Sequence, residues 1–262
     1  MSSAQYIVGI VPAAGLGTRL RPPAPGGPAL RPVPSRVEGS PQGVGGTPKQ
    51  LLELDGVPIL FCTLRRLAAC RRLASIILAV RAADRPCVEG KLAGESYAGR
   101  IRIVEGGESR QESVANALRA VPPETAFVLV HDAVRPFVES ALIERALDAA
   151  AETGAAILGL PARDTVKEVE PAGGGHQSSI TATIPRERIV LAQTPQVFRF
   201  DWLKEAVERA AADGFRGSDE AMLVERLGHA VTVVMGSERN IKITTAADLE
   251  LARFLLAREK AH

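Results

Sequence analysis

Ile7-Val8-Gly9-Ile10-Val11-Pro12-Ala13-Ala14-Gly15-Leu16-Gly17-Thr18-Arg19 is the stretch on which the fold turns. Residues 7–11 carry no polar side chain on either alternating face, the pattern of a strand buried from both sides in a parallel sheet. The strand passes directly into a loop whose glycines and small alanines let backbone N–H groups come close to an anion. A phosphate is the natural guest of such a loop, although a strand-to-helix turn with no ligand uses the same residues. No Gly-Lys-Ser/Thr follows, so this is not a Walker loop, and the third glycine of the dinucleotide fingerprint is missing. A dinucleotide-dependent oxidoreductase is therefore disfavoured.

Outward from this stretch, apolar runs at 76–80, 101–104, 127–130 and 156–160 repeat the strand pattern, and helix-spaced segments at 58–69, 84–94, 109–120 and 140–153 fall between them. That alternation predicts a right-handed α/β sandwich around a mostly parallel sheet. Pro58 suits a first helical position, and Ser109 and Ser140 suit helix caps. Ligands gather where the strands of such sheets end, so the loops after Val11, Val104, Val130 and Leu160 are where chemistry is sought. Helices near 200–212, 218–227 and 246–258 and a strand at 231–234 complete the chain.

Two segments interrupt the alternation. Residues 21–47 hold seven prolines and six glycines with almost no apolar period, and read as a flexible insertion. Between Leu160 and Phe198, β-prone runs at 164–169 and 180–184 flank Pro171-Ala172-Gly173-Gly174-Gly175, predicting a hairpin arm over about 161–193. A lone hairpin is marginal in water, so the arm is expected to pack on a second subunit. The 262 residues, 46% of them hydrophobic, read as a single domain carrying these two features.

A net charge of +2 from 32 basic and 30 acidic residues, with no basic block, argues against a nucleic-acid partner. Cys62, Cys70 and Cys87 are odd in number and lack CxxC spacing, which argues against a disulfide framework or a zinc site and suits a reducing cytoplasm. No run reaches the roughly 18 apolar residues of a membrane span and no export signal opens the chain, so an unexported protein away from membranes is expected.

Polar residues at the strand ends supply the candidates for chemistry. Lys49, in Pro48-Lys49-Gln50, joins Arg19 as a second cation; a pair of cations on a triphosphate stabilises the charge that builds as pyrophosphate departs. His131-Asp132-Ala133-Val134-Arg135-Pro136 ends the run at 127–130. Asp132 there suits Mg²⁺, which prefers carboxylate and phosphate oxygens, although a turn or cap would use the same aspartate. His131 is read as orienting that turn. Gly106-Gly107-Glu108-Ser109-Arg110-Gln111-Glu112-Ser113 suits either a base edge or a plain capped helix start. Arg163-Asp164-Thr165, Arg186, Thr194 and Asn240-Ile241-Lys242 offer cations and hydroxyls to a second, phosphorylated substrate, but spacing alone does not bring them together.

As an ordered set, these motifs together with Thr194-Pro195-Gln196 and Ser218-Asp219-Glu220 resemble the 2-C-methyl-D-erythritol 4-phosphate cytidylyltransferase family of the non-mevalonate isoprenoid pathway, along nearly the whole chain. The resemblance implies a Rossmann-like nucleotidyltransferase fold and a homodimer with exchanged β-arms. It implies a reaction of CTP, accompanied by Mg²⁺, with methylerythritol phosphate, yielding a diphosphocytidyl polyol and pyrophosphate. By the same carry-over, Arg19 and Lys49 stabilise the pentacoordinate transition state, and Arg186 and Lys242 position the attacking phosphate. Ala13, Ala14, Gly107, Glu108 and Ser113 fall where the family reads cytosine, and Pro12, Gly15, Gly17, Asp132 and Ala133 complete the CTP set. Asp132, Arg135, Thr165 and Thr194 fall around the ribose, metal and acceptor phosphate, with Arg186 reaching in from the partner chain. The chain departs from the family in the long 21–47 stretch, where a short loop is usual, and at Glu108, where aspartate is more usual.

The implied chemistry explains a cationic site. The nucleophile is an oxygen of an already ionised phosphate, so no base has to remove a proton; what the reaction needs is relief of repulsion and near-attack geometry. Two other readings stand beside this one. A ribitol-5-phosphate cytidylyltransferase shares the fold and differs in acceptor, while a non-catalytic nucleotide sensor has no need of Arg19, Lys49, Asp132 and Lys242 together.

Overall fold

A computed structural model describes residues 6–15, 48–170 and 179–260. In β1 (Ile7–Pro12), Ile7 and Val11 enter one apolar layer while Val8 and Ile10 enter the other. A strand with that pattern must lie between two helix layers. It is followed by β2 (Glu53–Leu54), β3 (Val57–Pro58), α1 (Ile59–Ala69), β4 (Leu73–Val80), α2 (Arg85–Leu92), β5 (Ile101–Glu105), α3 (Arg110–Leu118), β6 (Phe127–Val130) and α4 (Ser140–Thr153). Then come β7 (Ala155–Pro161), β8 (Val166–Val169), β9 (Ile180–Ile184), β10 (Val190–Arg199), α5 (Phe200–Ala212), α6 (Glu220–Arg226), β11 (Thr232–Met235) and α7 (Ala246–Lys260).

The main sheet has seven strands in the order β11-β7-β10-β6-β1-β4-β5. Every neighbouring pair is parallel except those made by β10, which runs antiparallel to β6 and to β7. Leu60, Phe61 and Leu64 of α1, Val88 of α2 and Leu142 and Leu147 of α4 cover one face. Val114 of α3, Leu203 and Val207 of α5 and Leu223 of α6 cover the other. Each such side chain contributes about 2 kcal/mol by leaving water, so the two layers secure the strand order. A smaller cluster joins Leu54 and Ile59 to Val134, Phe137, Ile243 and Ala252 of α7. It holds the segment after Asn240 against the turn after β6, where Ile243 N–H donates to the Val134 carbonyl at 3.0 Å.

The mostly parallel sandwich expected from the alternation is present. One strand is added and two local expectations are corrected. β10 has no counterpart among the strands expected from the sequence; its pairing with β7 shifts register between Gln193 and Gln196, and this irregularity accommodates Pro195. Ser140 does not cap α4: the capping position is Glu139, without a side-chain bond, and Ser140 is the first helical residue. Pro58 occupies the position before α1.

The expected hairpin pairs β8 with β9 antiparallel as a separate two-stranded sheet, and Val190 returns the chain to the main sheet. The tip of that hairpin, 171–178, and the 21–47 insertion lie outside the described residues.

Candidate active site

Because β1 pairs in parallel with both β4 and β6, the loops after these strands open at the same edge of the sheet. Ala13 N–H donates to the Ala79 carbonyl at 2.7 Å and Gly106 N–H to that of Val80 at 2.8 Å, fixing the loops after β1 and β5 to the end of β4. A Cβ on Gly106 would stand 2.3 Å from Ala14 Cβ, so glycine is what lets the two loops touch. Pro12, Ala13, Ala14, Gly15, Lys49, Gln50, Arg110, Ser113, Asp132, Ala133, Val134 and Lys242 line the pocket formed there.

The Pro48-Lys49-Gln50 segment reaches this edge through Gln50. Its buried amide Nε2 donates to the Ala13 carbonyl at 2.6 Å, which sets Lys49, the first residue of a 3₁₀ turn, in the pocket wall. The loop before α3 is held by a capping box: Ser109 Oγ accepts from Glu112 N–H, and Glu112 Oε2 accepts from Ser109 and Glu108 N–H. Ser113 Oγ accepts from Gly107 N–H at 3.1 Å and donates to the Ser109 carbonyl at 2.9 Å, so one hydroxyl shapes the Gly107–Glu108 turn.

Asp132 is the electrostatic centre. Its Oδ1 takes Arg110 Nε at 2.9 Å, and its Oδ2 takes Lys242 Nζ at 2.8 Å and faces Arg135 Nε at 3.5 Å. Burial pushes its carboxyl up, but Arg110, Lys242 and Arg135 together outweigh burial and hold it far below the ordinary carboxylate range. Arg110 continues to Glu220, whose Oε1 lies 2.7 Å from Arg110 NH1. With Lys49, the cations around the pocket outnumber the carboxylates Asp132 and Glu220, so the site favours anions.

The turn carrying Asp132 is fixed from behind. Asp132 N–H donates to Thr194 Oγ1 at 3.0 Å, so the hydroxyl hydrogen is left for His131 Nδ1, also at 3.0 Å. Nε2 of His131 then carries the ring proton and donates to the Arg135 carbonyl at 3.1 Å. Burial lowers the His131 pKa to about 4, so the ring is neutral at pH 7, as that network requires. Thr63 Oγ1 of α1 donates to the Ala133 carbonyl, and Arg135 NH1 donates to the Asn240 carbonyl at 2.7 Å. Asn240 Nδ2 in turn donates to the Thr194 carbonyl at 2.8 Å, binding the Asn240–Lys242 segment to β10.

Pro12, Ala13, Ala14, Gly15, Lys49, Ser113, Asp132, Ala133 and Lys242 are thus brought together, and Gly107 adjoins them through Ser113. Arg135 and Thr194 lie beneath the pocket as supports of the turn, and Glu108 is exposed. Thr165 and Arg186 are exposed at the arm, where Arg186 NH1 donates to the Arg163 carbonyl, and neither lines the pocket within this chain. Arg19 and Gly17 lie outside the described residues. Gln50, Arg110 and Glu220 fall inside motifs legible in the sequence, yet their roles depend on partners distant along the chain.

The family model for 2-C-methyl-D-erythritol 4-phosphate cytidylyltransferase matches residues 34–258. A protein of that name from Solibacter usitatus is 48% identical over 252 residues, covering 96% of each chain. Another from Acidobacterium capsulatum is 49% identical over 248 residues, covering 94% of this chain and 95% of its own. Among solved structures, the 2-C-methyl-D-erythritol 4-phosphate cytidylyltransferase of Thermus thermophilus superposes with a TM-score of 0.68 at 32% identity, covering 96% of this chain and 98% of its own. The 4-diphosphocytidyl-2C-methyl-D-erythritol synthase of Anaerococcus prevotii reaches 0.77 at 27% identity, covering 97% of this chain and 100% of its own.

Proposed function

This chain belongs to the 2-C-methyl-D-erythritol 4-phosphate cytidylyltransferase family, and from that premise we propose that the pocket around Asp132 is where its reaction takes place. The enzyme is a nucleotidyltransferase of isoprenoid precursor synthesis. It transfers CMP from CTP to 2-C-methyl-D-erythritol 4-phosphate, giving 4-diphosphocytidyl-2-C-methyl-D-erythritol and pyrophosphate. The observation that carries the assignment of the site is the meeting of Arg110, Arg135 and Lys242 on one buried carboxylate, beside Lys49 and the Ala13–Gly15 backbone.

Two anions have to meet in this reaction, and the residues divide that work. Ala13, Ala14, Gly15, Gly107 and Ser113 hold and read the nucleotide, with Glu108 beside Gly107. Lys49 meets the triphosphate and stabilises the charge that accumulates as pyrophosphate leaves, and the same role is assigned to Arg19, which lies outside the described residues. Lys242, restrained by Asp132, meets the acceptor phosphate with a side chain that would otherwise sample many rotamers, so part of its ordering entropy is spent before substrate arrives. His131, neutral and directed at Thr194 and Arg135, supports the turn and moves no proton.

Among the described residues no three His, Cys, Asp or Glu side chains cluster. A lone Asp132 carboxylate suits Mg²⁺ that arrives on the triphosphate and keeps phosphate and water oxygens as its other ligands. Asp132 would be the side chain to hold it. Bound there, the ion would supply neutralisation of phosphate charge and polarisation of the phosphoryl group.

The chain acts as a single domain whose β-arm supports a homodimer. Val169, Ile180, Val190, Leu191, Val233 and Met235 leave large apolar surfaces exposed on the arm and the adjoining sheet edge, and a second copy covering them brings Arg186 and Thr165 to the neighbouring pocket. Free Cys62, Cys70 and Cys87 suit a cytoplasmic setting. No helix among the described residues is long and apolar enough to cross a membrane. Pyrophosphate release with CTP and equal concentrations of methylerythritol phosphate or ribitol 5-phosphate tests the function. Preference for the first is expected, and preference for the second overturns the acceptor.

A further inference from the structure

Among the described residues, Glu220 is an acidic residue whose position is hard to explain by stability alone. It opens α6, where a glutamate ordinarily faces solvent, yet it is 1% exposed. The helix does not need it as a cap, because Asp219 Oδ1 accepts from Met222 N–H. One carboxylate oxygen, Oε1, binds Arg110 NH1 at 2.7 Å; the other, Oε2, is buried without a hydrogen-bond partner. Burial pushes its carboxyl up, with Arg110 opposing. Burying an ion pair in this way is commonly no better for stability than packing apolar groups of the same volume.

Arg110 has the pocket on one side and Glu220 on the other. With NH1 held by Glu220, the guanidinium presents Nε to Asp132 Oδ1, which leaves Oδ2 to Lys242 and Arg135. We propose that Glu220 is a positioning residue for CMP transfer: by anchoring Arg110 it divides the two oxygens of Asp132 between Arg110 and Lys242 and so sets where the Lys242 ammonium stands. Without that anchor, Arg110 is free to turn its fork fully onto Asp132 and to compete with Lys242 for the carboxylate. The attacking phosphate then loses its aligned cation, while the loops after β1 and β5 that take the nucleotide are untouched.

The inference rests on the pocket being the transfer site, so wild-type enzyme is assayed beside the variants with CTP and methylerythritol phosphate. Glu220→Gln is expected to lower kcat about 10- to 100-fold, the scale of a small misplacement of reacting groups, with the KM for CTP nearly unchanged. Adding Glu220→Gln to Arg110→Met is expected to have little further effect, because the two residues act as one unit. A melting curve on each variant separates a loss of fold from a loss of alignment. Wild-type kcat in folded Glu220→Gln, or two losses that multiply in full in the double variant, overturns the role. Should the glutamine variant not fold, Glu220→Asp keeps the charge and shortens the reach: a kcat loss at unchanged melting temperature supports the role, and wild-type kcat overturns it. If the wild-type enzyme itself releases no pyrophosphate, the reading of the site fails, whereas a normal wild type beside an unaffected Glu220→Gln sinks only the positioning role.

Discussion

Gln50 Nε2 donates a hydrogen bond to the carbonyl oxygen of Ala13 across 2.6 Å, and both groups are buried. The loop after β1 and Lys49 are far apart in sequence, and the Gln50 side chain ties one to the other. Gln50→Ala leaves the Ala13 carbonyl unpaired and frees the Lys49 turn. The expected outcome is a stability loss of about 1–3 kcal/mol and a fall in turnover of tenfold or more through misplacement of Lys49. Melting curves and pyrophosphate release measure the two effects; normal turnover would mean that Lys49 is held by something else.

Lys49→Ala and Lys242→Ala test the division of cations between the two substrates. Each should lower kcat by far more than it weakens CTP binding, because these charges act on what develops during transfer. Calorimetric CTP affinity set against kcat reads the difference, and equal losses in both would remove the transition-state role.

Asp132→Asn leaves Arg110, Arg135 and Lys242 crowded without their counter-charge. A destabilisation of about 3–5 kcal/mol is expected, the cost of breaking a buried ion pair from one side. If Asp132 also contributes to the metal, chelation should abolish turnover in the wild type, and any residual activity of the variant should need more Mg²⁺. An unchanged Mg²⁺ titration would place the ion on the nucleotide alone.

His131 makes a pH prediction. Its folded pKa is lowered to about 4 against an ordinary 6.5. Between those values the unfolded chain binds a proton that the folded chain refuses, so stability is full above about 6.5 and declines as pH falls toward about 4, by roughly 3 kcal/mol. The depressed Asp132 carboxyl adds its loss only below about pH 4, and the raised Glu220 carboxyl works in the opposite sense. NMR titration of the His131 ring in metal-free buffer should show no change down to about pH 5; a midpoint near 6.5 would contradict the neutral, doubly bonded ring.

The arm makes a prediction about shared sites. Sedimentation should give a dimer. Inactive Arg186→Ala and Lys49→Ala chains, mixed and refolded together, should recover part of the wild-type activity, because one of the two pockets then has both residues intact. A verified heterodimer without activity would confine Arg186 to its own chain.

Much of this was legible in the sequence, for reasons of period and chemistry. The apolar run from Ile7 to Val11 demands cover on two faces wherever it is placed, and the small residues that follow demand a close backbone approach, so the parallel sandwich and the pocket edge could be read directly. β10 could not, because a strand through Pro195 needs the irregular register that its pairing with β7 supplies. Nor could the support roles of Thr194 and Arg135, since a hydroxyl or a guanidinium suited to phosphate is equally suited to a backbone group.

What the sequence determined by itself was therefore the kind of site: glycine and alanine at a strand end, cations in excess, and one aspartate among them. What only the tertiary structure decided was the pairing. Asp132 is matched with Arg110, Arg135 and Lys242, Arg110 with Glu220, and Gln50 with Ala13, through contacts between residues brought from separate strands and helices. Residue type sets what a group can bind, but electrostatic and hydrogen-bond energies fall steeply with distance, and distance across this site is set by the order of strands in the sheet.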